Sequence, residues 1–210
     1  LILLNSYSYS QPDCPSVNAG ADVLMPCGQT CTNLTATAFS AAQTTAYTVS
    51  QIAYNPPFSY TGGTSILVAI DDTWGPVIAL PFNFCFFGNV YNKIIVGSNG
   101  SISFNTGLSG TGNSWQINST VPSATPADLT NSIMSPWEDI DPTFVGNIHY
   151  QISGTSPCRM FEVSWSQVSY YGDPNSVYAY IGYTPLCGAQ YATYQTVIYE
   201  TSNVIETYID

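Results

Sequence analysis

Apolar residues recur along this chain with a period of two, and nowhere does a helical period persist for three turns. Period-two alternation sends successive side chains to opposite faces of an extended strand, so one face can be buried while the other stays wet. The alternating runs are short and are broken by Gly, Pro, Asn and Asp, which supply turn chemistry. Sixteen tyrosines, suited to a pleated surface, point the same way. The predicted fold class is all-β: an antiparallel β-sandwich, jelly-roll-like.

Strands are expected at TNLTATAF, over Tyr47–Tyr54 and over the apolar run 65–70. VIALPFNFCFFG is the densest apolar stretch, and its Pro81 lacks a ladder donor, which argues for an edge strand or a bulge. KIIVGSNGSISF carries Asn99-Gly100 between two β-rich runs, the strongest short-range hairpin signal. Residues 106–132, rich in Gly, Ser, Thr, Asn and Pro, form the longest unpatterned stretch, and loops of that length are often functional. NIHYQI and RMFEVSWSQV alternate cleanly, and YATYQTVIYE pairs with NVIETYI across Thr201-Ser202-Asn203. Residues 1–11, LILLNSYSYSQ, read either as the tail of a signal peptide cut near Gln11 or as an N-terminal docking strand. Residues 12–60 read as an N-terminal β segment with Cys14, Cys27 and Cys31. Residues 61–210 read as the main sandwich, expected to continue past Asp210 because the strand pattern is still running there.

Charge narrows the partners. Thirteen acids against two bases, Lys93 and Arg159, leave a net charge of −11, yet only 7% of residues are charged. Nucleic acid and anionic membranes are recognised by Lys and Arg neutralising phosphates, so neither is expected as a partner. Glycans, surface polymers, cell-surface proteins and cations remain. The cysteines Cys14, Cys27, Cys31, Cys85, Cys158 and Cys187 lack the paired knuckles of a zinc site, and His149 is the only imidazole. Disulfides bracing the sandwich in an oxidising compartment are the better reading, with their pairing open.

No nucleophile-base-acid arrangement, phosphate loop or dinucleotide fingerprint is present. The sharpest cluster is PWEDIDP at 136–142, with Glu138, Asp139 and Asp141. A glycosidase needs two carboxyls flanking one sugar bond, which makes Glu138, Asp139, Asp141 and Glu162 the carboxyls to examine. In a strand, however, Asp139 and Asp141 share a face that Glu138 leaves. Calcium takes six to eight oxygens from carboxylates and loop carbonyls, so Asp71, Asp72, Asp139 and Asp141 are its candidate ligands if their loops converge. Trp115, in a polar loop, and Tyr170, Tyr171 and Tyr178 are the candidate ligand contacts, offering flat faces to a sugar.

In order along the chain, CPSVNAGADVLMPCGQTCTNLTA, YNPPFSYTGGTSILVAIDDTWGPVIALPFNFCFFGNVYNKIIVGSNGSISFN, PWEDIDP, GTSPCRMFEVSWSQV and QTVIYETSNVIETYI resemble the N-terminal domain of large Bacteroidota surface proteins. These are the gliding-motility-associated adhesins secreted by the type IX system. More loosely, the chain is similar to the nidogen-type extracellular domain, which shares an LPF strand, an SNG turn, a Trp-acid-Asp-x-Asp segment and a terminal strand pair. The resemblance implies a secreted, non-enzymatic adhesion module on the bacterial cell surface, part of a longer polypeptide and acting in many copies. It implies pairing of Cys85 with Cys158 and suggests Cys27 with Cys31. Two other functions stay open: a structural subunit of a surface filament or stalk, and a carbohydrate-active enzyme or its lectin-like accessory domain.

Overall fold

The computed structural model describes residues 22–25, 27–28, 31, 33, 44–67, 70–116, 120–121, 123–173 and 190–210. Among them run ten strands: β1 (Thr64–Leu67), β2 (Ile78–Phe86), β3 (Asn89–Gly97), β4 (Ser101–Ser103), β5 (Ser132–Met134), β6 (Ile140–Asp141), β7 (Asn147–Ser153), β8 (Met160–Tyr170), β9 (Tyr191–Tyr199) and β10 (Ile205–Ile209). They form two antiparallel sheets. One has the order β1-β7-β8-β9-β10, with β6 pairing the far end of β8; the other has the order β2-β3-β4-β5. Neighbours within each sheet are mostly consecutive in sequence, β1 against β7 being the long-range exception.

Alternation explains how the sheets face each other. Ile78, Leu80, Phe82, Phe84 and Phe86 of β2 share one buried cluster with Ile148 of β7, Phe161, Val163 and Trp165 of β8, and Tyr194 and Ile198 of β9. This is the two-layer antiparallel packing of a sandwich. One polar bond crosses it, from the Trp165 indole N–H to the Gly97 carbonyl at 3.1 Å. Pro81 has the predicted effect twice over. β2 is an edge strand, and its ladder to β3 slips at the proline, because Ala79 faces Lys93 while Phe84 already faces Tyr91.

The same alternation corrects two expectations. With Phe84 and Phe86 in the core, Cys85 points to the outer face of its sheet, away from β8. There it is a buried free thiol beside the Thr44 carbonyl, while Cys158 is held in a disulfide whose other half lies outside the described residues. The Cys85–Cys158 pair is therefore not formed. Nor is Cys27–Cys31, since Cys27 sits in an exposed turn with its thiol free. Tyr47–Tyr54, expected as a strand, forms no ladder among the described residues. Instead Tyr47 donates its hydroxyl to the Cys85 carbonyl at 3.1 Å and sets its ring at a tilt against Phe86 and Phe87. Residues 1–11, Cys14, Tyr178 and Cys187 lie outside the described residues.

Residues 54–63 cover the outer face of the larger sheet. Phe58 exchanges hydrogen bonds with the Gln195 amide at 3.4 and 3.1 Å, Gln151 donates to the Ser59 carbonyl at 2.9 Å, and Tyr60 donates to the Tyr208 carbonyl at 3.4 Å. Gly63, at φ 80°, passes so close to β7 that a side chain there would collide with Gln151 and the Tyr150 carbonyl. This strap seals a polar floor. Glu162 and His149 are each at most 1% exposed, and both ring nitrogens of His149 and one Glu162 oxygen have no partner among the described residues. Burial pushes the Glu162 carboxyl up to about 8, although Ser164 and Gln151 donate to it, and burial lowers the His149 imidazole.

A carboxyl raised in the folded state favours folding below its unfolded value and loses that contribution as pH climbs through the folded one. Stability should therefore fall between about pH 4.5 and pH 8. At pH 7 the cost is on the order of 3 kcal/mol. Glu162→Gln should raise the denaturation midpoint at pH 7 to 8 and match the parent near pH 4; equal midpoints at both pH values would exclude this account.

Candidate acidic corner at the β3–β4 turn

The Asn99-Gly100 signal does make a hairpin, with a loop one residue longer than the tightest kind. Gly97 faces Ser101, so Ser98, Asn99 and Gly100 form a three-residue connection with Gly100 at φ 74°. A β-carbon on Gly100 would strike the Pro136 carbonyl and the Tyr194 hydroxyl, so only glycine fits. The turn is not a surface feature: Ser98, Asn99 and Ser101 are all 0% exposed. Burial also excludes Asn99, which heads an Asn-Gly-Ser sequon, as a glycan acceptor.

Asn99 ties three loops to this turn. Its amide donates to Asp72 Oδ1 at 2.8 Å and to the Asn113 carbonyl at 3.1 Å, and its side-chain oxygen accepts the Ile140 N–H at 3.2 Å. Its backbone N–H donates to Asn113 Oδ1 at 2.9 Å, and its carbonyl accepts the Glu138 N–H at 3.3 Å. The 70–74 loop, the start of the 106–132 stretch and PWEDIDP therefore meet on one residue. A second knot secures the long stretch. Asp128 accepts from the Ser114 N–H and hydroxyl at 2.8 and 2.7 Å and from the Trp74 indole at 3.3 Å, and Trp137 donates to the Ser114 carbonyl at 2.8 Å. Trp74, Ile95, Leu129 and Trp137 pack around it as a separate small core.

The convergence brings the predicted aspartates into mutual range. Asp71 is pushed up to about 6, first by burial and then by the charges of Asp141, Asp72 and Asp139, against the Asp72 N–H that it accepts. Asp139 is raised by burial and by Asp72 and Asp141. No base relieves them, because Arg159 is paired with Glu200 and Lys93 lies on β3. The repulsion has not closed into a metal cage: among the described residues no three His, Cys, Asp or Glu side chains stand together so as to hold an ion. Asp141 is occupied locally, its carboxylate accepting the Thr143 N–H at 2.8 Å and its carbonyl the Ser169 hydroxyl at 2.6 Å.

Exposed aromatics border the acids. Tyr171 donates its N–H to the Asp139 carbonyl at 3.1 Å and is 62% exposed; Tyr170 is 37% exposed, and Trp115, next to Ser114, is 41% exposed. Trp74, Trp137 and Trp165 are buried. Glu162 belongs to none of this. On β8 it faces Gln151 of β7, whereas Asp141 faces Ser169, seven positions further along β8. At about 3.3 Å per residue they stand on the order of 20 Å apart, too far to flank one glycosidic bond. The residues that sequence reading missed are Asn113 and Asp128; both are polar residues in a long loop, and nothing local marks them as buried.

A family model described as NIDO related matches residues 45–210. No curated protein and no solved structure matches the chain.

Two substitutions test the corner. Asn99→Ala leaves the Ile140 N–H without its acceptor, and should cost about 2–4 kcal/mol in chemical denaturation; a loss under ~0.5 kcal/mol would remove Asn99 from the centre of the corner. Asp71→Asn keeps an oxygen for the Asp72 N–H and removes a carboxyl whose folded value is raised. The variant should unfold at a higher temperature than the parent at pH 7 and at the same temperature near pH 4, and the reverse order would contradict the assigned repulsion.

Proposed function

Because the chain belongs to the NIDO-related family, we propose that it is a non-enzymatic extracellular binding module of a larger surface protein, engaging glycans, surface polymers or partner proteins through the loops of the acidic corner. The observation that carries this reading is the exposure of Trp115 and Tyr171, and of Tyr170 at the end of β8, beside loops that Asn99 and Asp128 tie together. Exposed aromatic faces on a preorganised scaffold bind with little loss of conformational freedom. The finer reading, a Bacteroidota adhesin secreted by the type IX system, is supported by the order of the motifs quoted above. Adhesion would then draw on many weak contacts made in parallel on one cell.

Calcium is proposed for the same corner on charge alone. Four aspartates without a base would gain from a divalent ion, and the loops would have to draw closer to supply its six or more oxygens.

In a retention assay on the native target surface, Trp115→Ala with Tyr171→Ala should reduce binding at least about tenfold while the unfolding temperature is unchanged; undiminished retention would remove the corner from the binding face. Millimolar calcium at pH 7 should raise the unfolding temperature of the parent and not of Asp71→Asn/Asp139→Asn, and a chelator should reverse it. No response of the parent to calcium would end the calcium reading.

A further inference from the structure

A second cleft opens at the other end of β8, and nothing in the corner contributes to it. Leu80, Pro81, Phe82 and Asn83 stand opposite Asn92 alone, because β2 resumes its register with β3 only at Phe84. This bulge, with Arg159 before β8 and Glu200-Thr201 in the β9–β10 turn, bounds a cleft of about 470 Å³. That volume lies in the range of small-molecule sites.

The chemistry of its lining is neutral and rich in donors. Arg159 grips Glu200 with two parallel bonds, Nε to one oxygen at 2.8 Å and Nη2 to the other at 2.6 Å. Glu200 also accepts the Arg159 N–H at 3.0 Å and the Ser156 hydroxyl at 3.4 Å, which uses its acceptor capacity and cancels the positive charge. The guanidinium lies 5.8 Å from the centre of the Phe82 ring, so it is fixed in plane and position. Its remaining N–H groups have no acceptor among the described residues. Asn83 and Asn92 are exposed, and neither amide has a hydrogen-bond partner there. The cleft thus offers guanidinium N–H donors whose charge Glu200 balances, two free amides that both donate and accept, and apolar walls from Leu80 and Pro81.

We propose that this cleft binds an uncharged saccharide. Vicinal hydroxyls each donate and accept, which matches a primary amide, and the C–H face of a sugar ring suits the proline and leucine walls. An anionic ligand finds the arginine already neutralised, and a cationic one finds the carboxylate already filled. The cleft is a second contact surface, separate from the acidic corner, and it stands or falls independently of the corner's proposed function.

The test follows the side-chain amide resonances of Asn83 and Asn92 in the whole protein, during titration with neutral oligosaccharides of glucose, galactose, mannose and N-acetylhexosamines. Oligouronates and an uncharged extended peptide serve as comparison probes. At least one neutral sugar should shift both resonances, and Asn83→Ala/Asn92→Ala should weaken its binding at least about tenfold with the unfolding temperature unchanged. Trp115→Ala/Tyr171→Ala should leave that binding as it was, which separates failure here from failure of the corner. A panel that shifts neither amide, a shift produced only by the uronates or the peptide, or sugar binding indifferent to the double asparagine variant would each overturn the proposal.

Discussion

The hydrogen bonds of Asn99 hold together everything at the β3–β4 end of the molecule. A side chain with one oxygen and one NH₂ group meets the 70–74 loop, the start of the 106–132 stretch and the PWEDIDP segment at once. The residue is fully buried, so each of these bonds forms where water cannot compete, and losing one would strand its partner. Gly100 makes this possible, since the turn approaches Pro136 and Tyr194 more closely than any β-carbon would allow. The acids and the exposed aromatics are where they are because these bonds join the loops.

The larger sheet is unusual in having both faces buried along β8. Its inner face joins the hydrophobic core, and its outer face carries Glu162, Ser164, His149 and Gln195 beneath residues 54–63. A chain with two bases cannot neutralise a buried carboxylate by pairing, so protonation takes that part and Glu162 rises toward 8. The single ion pair among the described residues, Arg159 with Glu200, is spent at the cleft instead. Scarcity of charge thus shapes both the interior and the surface: hydrogen bonds from Asn, Ser, Thr and Tyr do what ion pairs do elsewhere.

The two candidate contact surfaces lie at opposite ends of β8, with Arg159 preceding its first residue and Tyr170 being its last. Eleven extended residues separate them by on the order of 30 Å. Such a spacing lets one module touch two points of an extended polymer or two neighbouring molecules, which is where parallel weak contacts gain most.

Most of the longer strands were legible from the sequence, though not their order in the sheets, because alternation is a local property: whether a side chain faces in or out follows from its neighbours one residue away. The β2 edge and bulge at Pro81, the hairpin at Asn99-Gly100 and the terminal pair around Thr201-Ser202-Asn203 all rest on chemistry within a few residues. Alternation even carried the evidence against pairing Cys85 with Cys158, since it turns Cys85 away from the core that Phe84 and Phe86 enter. Tyr47–Tyr54 misled because its alternation buries no face: Tyr47 alone packs against β2, and the residues after it are exposed. The short strands β5 and β6 had no pattern of their own. What the tertiary structure alone decided is which distant loops share a neighbour. Asn113, Asp128 and Asp72 are ordinary turn residues until the sheets pack and bring them to a buried Asn99 and a buried Trp74. Glu162 is an ordinary outward-facing strand carboxylate until residues 54–63 fold across it and take away its water.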